Sequence, residues 1–271
     1  MRSTSAASLE SVAAGFEPVL RAAGADATTL GGQMFAVVDA LDSSGSLRRA
    51  VTDPSRSADA KARLVTEMLS GKADDRVVEV VSAFARVRWS AEADLTEALE
   101  QVATDAVLAA AQSAGTLERV ENELFRLDRM LVGQRELRRA LTDRSVSPEL
   151  RGTLVRDLLA DKVDPATRQL VERAAVAPRG RTMTAMLAAL GRLAARRREM
   201  LVAVVTAAAP LSAAQSARLT QLLERTYGRA VQLNFSVDPE VMGGLRVQVG
   251  PEVVDSTMIA RLDDARRTLA G

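Results

Sequence analysis

The chain has 271 residues, with 36 Lys+Arg against 35 Asp+Glu and neither His nor Cys. A net charge of +1 supplies no general field that would draw nucleic acid or an anionic membrane. Without His or Cys there is no imidazole relay, disulfide, thiolate nucleophile or zinc knuckle, which leaves carboxylate, Lys, Ser or Tyr chemistry, or none.

The opening MRSTSAASLESVAAG has no apolar run of the kind a secretory leader carries. The most apolar stretch, residues 200–211, is shorter than the roughly 18–20 residues that span a bilayer. The expectation is a soluble, intracellular protein that meets a membrane only through partners. Aromatic residues make up 3% of the chain, so its core must be built from Ala, Leu and Val. From Ser8 to about Met200 the periodicity is helical. Leu30, Met34, Val37, Val38 and Leu41 make one apolar stripe. Val120, Leu124, Leu127 and Leu131 make another, and Met183, Leu187, Leu190 and Leu193 a third, each backed by Arg and Glu. Ser147-Pro148 and Asp164-Pro165 place a capping side chain before a proline suited to the first helical position.

The helical region repeats. Residues 47–53, LRRAVTD, match residues 137–143, LRRALTD, at an offset of 90. The same offset pairs Phe35 with Phe125, Leu41 with Leu131, Ser57 with Ser147, Leu64-Val65 with Leu154-Val155, and Lys72-x-Asp74 with Lys162-x-Asp164. Two copies are too few for a solenoid, so two adjacent bundles are expected. The predicted organisation is a helical bundle over 1–108, a second over 109–200 and a small α/β domain over 201–271. The fold class is mainly α, as tandem helical bundles followed by that α/β unit.

After Met200 the period changes. Leu201–Val205 reads as a buried strand. Ser212 and Gln215 form a capping box that opens a helix through Leu219, Leu222, Leu223 and Tyr227, and Gly228 ends it. Val231, Leu233, Phe235 and Val237 alternate as a strand buried on one face. Asp238 to Gly244 is a turn region, after which Leu245, Val247 and Val249 are expected to pair antiparallel with that strand. Gly250-Pro251 forms another turn. Asp255 or Ser256 then caps a last helix on Met258, Leu262, Ala265 and Leu269.

No phosphate loop of either common type is present; Gly31-Gly32 and Gly243-Gly244 are isolated pairs. The pairs Asp74-Asp75, Asp263-Asp264 and Asp39 with Asp42 read as solvated or ion-paired helix faces. Arg196-Arg197-Arg198, with Arg179 and Arg181, could meet phosphate or an acidic partner helix, or form the polar face of a helix at a domain junction. Trp89, near Arg88, reads as core or domain-edge packing, and Tyr227 as packing at a helix end. None of Lys61, Lys72 and Lys162 sits in a marked dry pocket. No catalytic, cofactor-binding or metal residue is assigned, and no cofactor is expected.

The segment 237–255, VDPEVMGGLRVQVGPEVVD, followed by Ser256 and a terminal amphipathic pattern, resembles the signature of the F-type ATP synthase delta subunit, the oligomycin-sensitivity-conferring protein family. Val204-Val205-Thr206-Ala207 and Pro210-Leu211 are similar to the same family. The chain is longer than the common form and resembles the long actinobacterial form, its extra length being the tandem copy. The resemblance implies a non-catalytic stator subunit on the cytoplasmic face of the cell membrane. Its N-terminal bundle would hold the N-terminal helices of alpha subunits, and its C-terminal unit the b subunit of the peripheral stalk, so that rotor torque does not spin the catalytic head. It implies no nucleic acid, and membrane association only through the complex. The copy near residues 115–200 is the expected counterpart of the family's single bundle, while the earlier copy could dock alpha helices instead or contact the stalk. The alternative class is an Arg-rich helical regulator that binds nucleic acid.

Overall fold

The computed structural model describes residues 2–255, apart from 144, 200, 229, 230, 239, 240, 242, 243, 250 and 251. The last helix expected on Met258, Leu262, Ala265 and Leu269 lies outside the described residues, as do Asp263-Asp264, Ser256, Gly243 and the Gly250-Pro251 turn. The chain divides into two compact units between Arg198 and Glu199.

The first unit is helical: α1 (Ser3–Ala23), α2 (Ala27–Ser43), α3 (Gly45–Thr52), α4 (Ala58–Leu69), α5 (Asp75–Arg86), α6 (Glu92–Ser113), α7 (Leu117–Gly133), α8 (Arg135–Thr142), α9 (Pro148–Leu159), α10 (Pro165–Val176) and α11 (Met183–Glu199). The 90-residue offset reappears in these bounds. Displaced by 90, α2 to α5 become α7 to α10 residue for residue. Their starts are specified by the same chemistry. Ser57 accepts from the Ala60 N–H and Ser147 from the Leu150 N–H, while Asp74 and Asp164 accept from the N–H two residues on. Gln33 accepts the Asp74 N–H at 2.8 Å, and Glu123 accepts the Asp164 N–H at 2.8 Å.

Displaced by 90, α1 becomes residues 93–113, which is α6 without its first residue, Glu92. The tandem bundles therefore interlock: α6 ends the first set of six helices and begins the second. Its burial shows both roles. In α1 one stripe is buried, on Leu9, Val12, Phe16 and Leu20. In α6 the matching Leu99, Val102, Ala106 and Ala110 are buried, and so are Ala98, Ala103, Leu108 and Ala111 around the rest of the helix. A helix buried well beyond one stripe belongs inside a core, and α6 keeps only a narrow polar side on Glu97, Glu100, Gln101 and Asp105. Residue 108, where the repeat suggested a boundary, lies inside α6, and a single apolar core runs from Leu9 to Ala194. Where α2 crosses α6, Gly31 allows the backbones to meet: a Cβ there would lie 2.8 Å from both the Ala103 carbonyl oxygen and Val107 Cγ2.

The second unit holds β1 (Leu201–Ala207), α12 (Ala213–Tyr227), β2 (Val231–Val237), β3 (Leu245–Val249) and β4 (Glu252–Asp255). The capping box at Ser212 and Gln215 forms, and Gly228 ends α12 in the left-handed region at φ 65°. The sheet order is β2-β1-β3-β4. This corrects the expected pairing of 231–237 with 245–249: β2 lies parallel to β1, and β3 lies antiparallel to β1 on its other side. The reason is that β1-α12-β2 is a crossover unit, which a parallel pair requires. The most apolar strand, β1, takes the centre, and the Asp238–Gly244 connection is long enough to carry the chain past it. The 252–255 strand was not anticipated; Asp255, expected as a possible helix cap, is its last residue. The face of β2 is buried only in part. Val231 packs with Leu223 and Val205, whereas Phe235 and Val237 are exposed among the described residues.

Candidate functional site

Among the described residues no group of three acidic side chains is placed to hold a metal ion. Of the carboxylates singled out in the sequence, those among the described residues serve the fold. Asp74 caps α5 and pairs with Arg76, which also reaches Asp26; the Arg76 hydrogen bonds hold the Asp74 carboxyl down at about 2. Asp75 lies in the first turn of the same helix. Asp39 and Asp42, on α2, bind Arg173 and Arg179 respectively, each at 2.8 Å.

The arginine cluster is spent in the same way. Arg197 is buried and makes a two-pronged ion pair with Glu17, 3.0 Å and 2.6 Å, while its Nε donates to Gln112 at 2.9 Å. Arg198 pairs with Glu121 at 2.8 Å, and Arg181 pairs with Glu97. Arg179 also donates to Thr96 at 2.7 Å. Arg173 holds Asp39 and Glu100 together and lies 4.8 Å above the Phe35 ring. These residues tie α1, α2 and α6 to α10, α11 and the loop between them. Arg196 remains exposed. The reading as a nucleic-acid regulator is not supported, because most of the arginines it needs already have carboxylate partners. Trp89 is also structural: its indole N–H donates to the Phe84 carbonyl at 2.9 Å and its ring stacks on Phe84. Tyr227 is half-buried against the core of the second unit. Lys61 is buried with its Nζ on the Val87 carbonyl, and burial lowers its pKa.

Asp105, on α6, shares this region. Burial pushes its carboxyl up from 3.8 to about 6, against the pull of Arg197 and Arg196 and with the help of Glu17. The folded state therefore favours the protonated form. That contribution to stability is full below pH 3.8 and is lost as pH rises through about 6. Asp105→Asn is expected to be more stable than the parent by about 3 kcal/mol at pH 8 and nearly equal to it at pH 3.5. Urea denaturation at both pH values measures this; an equal difference at the two would remove the assignment.

Two surface features can receive a partner. The first is a cleft of about 250 Å³ between α6, α10 and α11, lined by Leu170, Met186 and Leu190, by the Arg181–Glu97 pair and by Arg192 and Arg196. The second is exposed apolar surface in the second copy: Phe125, Met130 and Val132 on α7, and Leu150 and Leu154 on α9. The matching first-copy residues are Phe35, Ala40, Asp42, Ala60 and Leu64, so four of the five are smaller, polar or less exposed, and Phe35 is buried. The asymmetry is present in the sequence repeat, at the positions where the two copies differ.

The family model described as ATP synthase delta (OSCP) subunit matches residues 99–269. That span begins inside α6 and takes in the second set of helices and the α/β unit. The chain is 56% identical to ATP synthase subunit delta of Beutenbergia cavernae over 271 residues, which is all of both chains. It is 44% identical to ATP synthase subunit delta of Thermobifida fusca, again over all of both chains. It is 47% identical to the Kineococcus radiotolerans subunit delta over 93% of this chain and 91% of that one.

Proposed function

The chain belongs to the ATP synthase delta (OSCP) subunit family, whose members are non-catalytic subunits of an enzyme complex, and from that premise we propose how it joins its neighbours. Its role is that of a peripheral-stalk subunit. The helical unit grips the N-terminal helices of alpha subunits on the catalytic head, and the α/β unit grips the b subunit. The chain then lies on the cytoplasmic face of the membrane, held there by the complex. Among the described residues no helix is long and apolar enough to cross a bilayer.

The observation that carries this reading is the coincidence of the family match with two separate cores. Residues 99–269 include six consecutive helices that share the first unit's core, and an α/β unit with a core of its own. Two cores give a link two handles. The cleft between α6, α10 and α11 supports assigning the head to the second copy, because an apolar floor beside Arg192 and Arg196, which pair with no carboxylate among the described residues, suits an amphipathic helix bearing carboxylates.

Calorimetric titration of the full chain with the alpha-subunit N-terminal peptide, and separately with the soluble end of the b subunit, tests the proposal. Saturable binding of both by one molecule is expected. Ala189→Arg, which fills the cleft, is expected to weaken the alpha peptide at least tenfold and leave the b subunit unaffected. Deleting residues 1–105 would be a poor test of the copy assignment, because it cuts α6 in two. Failure of a folded chain to bind either partner would remove the reading.

A further inference from the structure

We propose that the outer face of α7, built on Phe125, Arg129 and Val132, docks an amphipathic helix of another subunit that brings a carboxylate to Arg129. The inference rests on the stator reading above and concerns a surface other than the cleft.

The internal repeat provides the control. At the 90-residue offset, Phe125, Arg129 and Val132 correspond to Phe35, Asp39 and Asp42 on α2. On α2 that face is covered from α10 and the loop after it. Arg173 lies 4.8 Å over the Phe35 ring and 2.8 Å from Asp39, and Arg179 is 2.8 Å from Asp42. Phe35 is 6% exposed as a result. On α7 the same face is open: Phe125 is 60% exposed and Val132 62%. The cation near the Phe125 ring is Arg129 of the same helix, at 5.8 Å, and no carboxylate among the described residues pairs with Arg129.

The substitutions between the copies state the chemistry of the missing cover. A face left to solvent has no reason to keep a phenylalanine and to exchange an aspartate for valine. Here the aromatic residue is kept, Asp42 gives way to Val132, and Asp39 gives way to a residue of opposite sign. The surroundings change in the same sense. Residues 125–159 carry eight arginines against five carboxylates, whereas residues 35–69 carry five cations against five carboxylates. The first copy shows that a helix fits this face, with a cation over the ring and on the aspartate. In the second copy the complement is a helix with apolar side chains for Phe125 and Val132 and a carboxylate for Arg129. A second copy of this chain does not match, because its own α10 would bring Arg173, a cation already bound to Asp39 and Glu100.

The test uses the purified membrane-bound complex containing the full chain, with p-benzoylphenylalanine in place of Phe125. Irradiation is expected to link residue 125 to a helical segment of another subunit that contains an aspartate or glutamate. Arg129→Glu is expected to lower the yield at least fivefold, and reversing the carboxylate in the linked segment to arginine should restore it. Arg126→Glu, a charge change on another side of α7, should leave the yield within twofold. Unchanged circular dichroism and melting exclude misfolding as the cause. If the chain is present in the complex but residue 125 links to nothing, to a second copy, or equally well with Glu at 129, the inference is overturned and the stator reading stands. If the chain is absent from the complex, both fall.

Discussion

Replacing Arg197 with alanine is expected to lower stability by about 3 kcal/mol, since it takes from a buried carboxylate its two-pronged partner and leaves it only Arg21, 3.3 Å away on the same helix. The side chain is buried, takes both oxygens of Glu17 and satisfies Gln112, so one substitution unpairs Glu17 Oε2 on α1 and Gln112 Oε1 on α6, while Arg21 keeps Glu17 Oε1. It also removes a charge that holds the Asp105 carboxyl down, so Asp105 should titrate still higher in the variant. The lost contact joins residues 180 positions apart, which makes it a clamp between the first helix of the unit and the last. The double variant Glu17→Leu, Arg197→Met should recover most of the loss, because apolar side chains of similar volume need no solvation. Urea denaturation followed by circular dichroism measures both. A cost below about 1 kcal/mol for Arg197→Ala would mean that water reaches Glu17 and that the clamp is not buried in solution.

The second large effect is expected at Gly31. Alanine in a helix interior ordinarily gains about 1 kcal/mol over glycine. At Gly31 the added Cβ would lie 2.8 Å from a backbone oxygen of α6 and from Val107, so α2 and α6 must separate along their contact. Overpacking of this kind costs about 1–3 kcal/mol, and Gly31→Ala is expected to destabilise by about 2 kcal/mol. Gly32 is the control. Its Cβ would meet only Gln169 Nε2, the end of a flexible side chain, at 3.5 Å. Gly32→Ala should therefore be neutral or stabilising by about 0.5–1 kcal/mol. Thermal melts of the two variants side by side decide the matter, and equal effects would show that propensity, not the close approach, governs this helix. The second copy has Glu121 where the first has Gly31, and Glu121 pairs with Arg198 instead of admitting a neighbouring backbone.

These two positions bear on the mechanical role. A link that resists torque must not hinge between its parts. A helix common to both copies removes the flexible connection that two separate bundles would have needed. The Arg173 and Arg197 ion pairs then fasten helices at distant points of the chain to one another. The result is one compact unit to Arg198, stiff because bending it would require prising open a shared core.

The local rules were sufficient for much of the chain. The stripes on α2, α7 and α11, the caps at Ser147, Asp164 and Ser212 and the glycine after α12 depend on residues within a few positions of each other, and all are where the pattern predicted them. The family resemblance was equally legible, because it rests on a contiguous segment. What sequence alone left open involves partners far apart in the chain. The sharing of α6 was obscured because the match between Leu9-Glu10-x-Val12-Ala13 and Leu99-Glu100-x-Val102-Ala103 covers only the part of each helix that meets the same neighbours; the rest of α6 faces a second set. The β-strand order escaped because alternation tells which face of a strand is buried but not which strand lies beside it. The arginines read as a basic cluster because their carboxylates come from α1, α2, α6 and α7, up to 180 residues away. By itself the sequence determined the helical character of the first unit, the stripes and caps named above, the repeat and the family, all of which are written along the chain. The tertiary structure decided which charges cancel, which apolar faces are covered and which are left for a partner, because burial and pairing are properties of the space between elements.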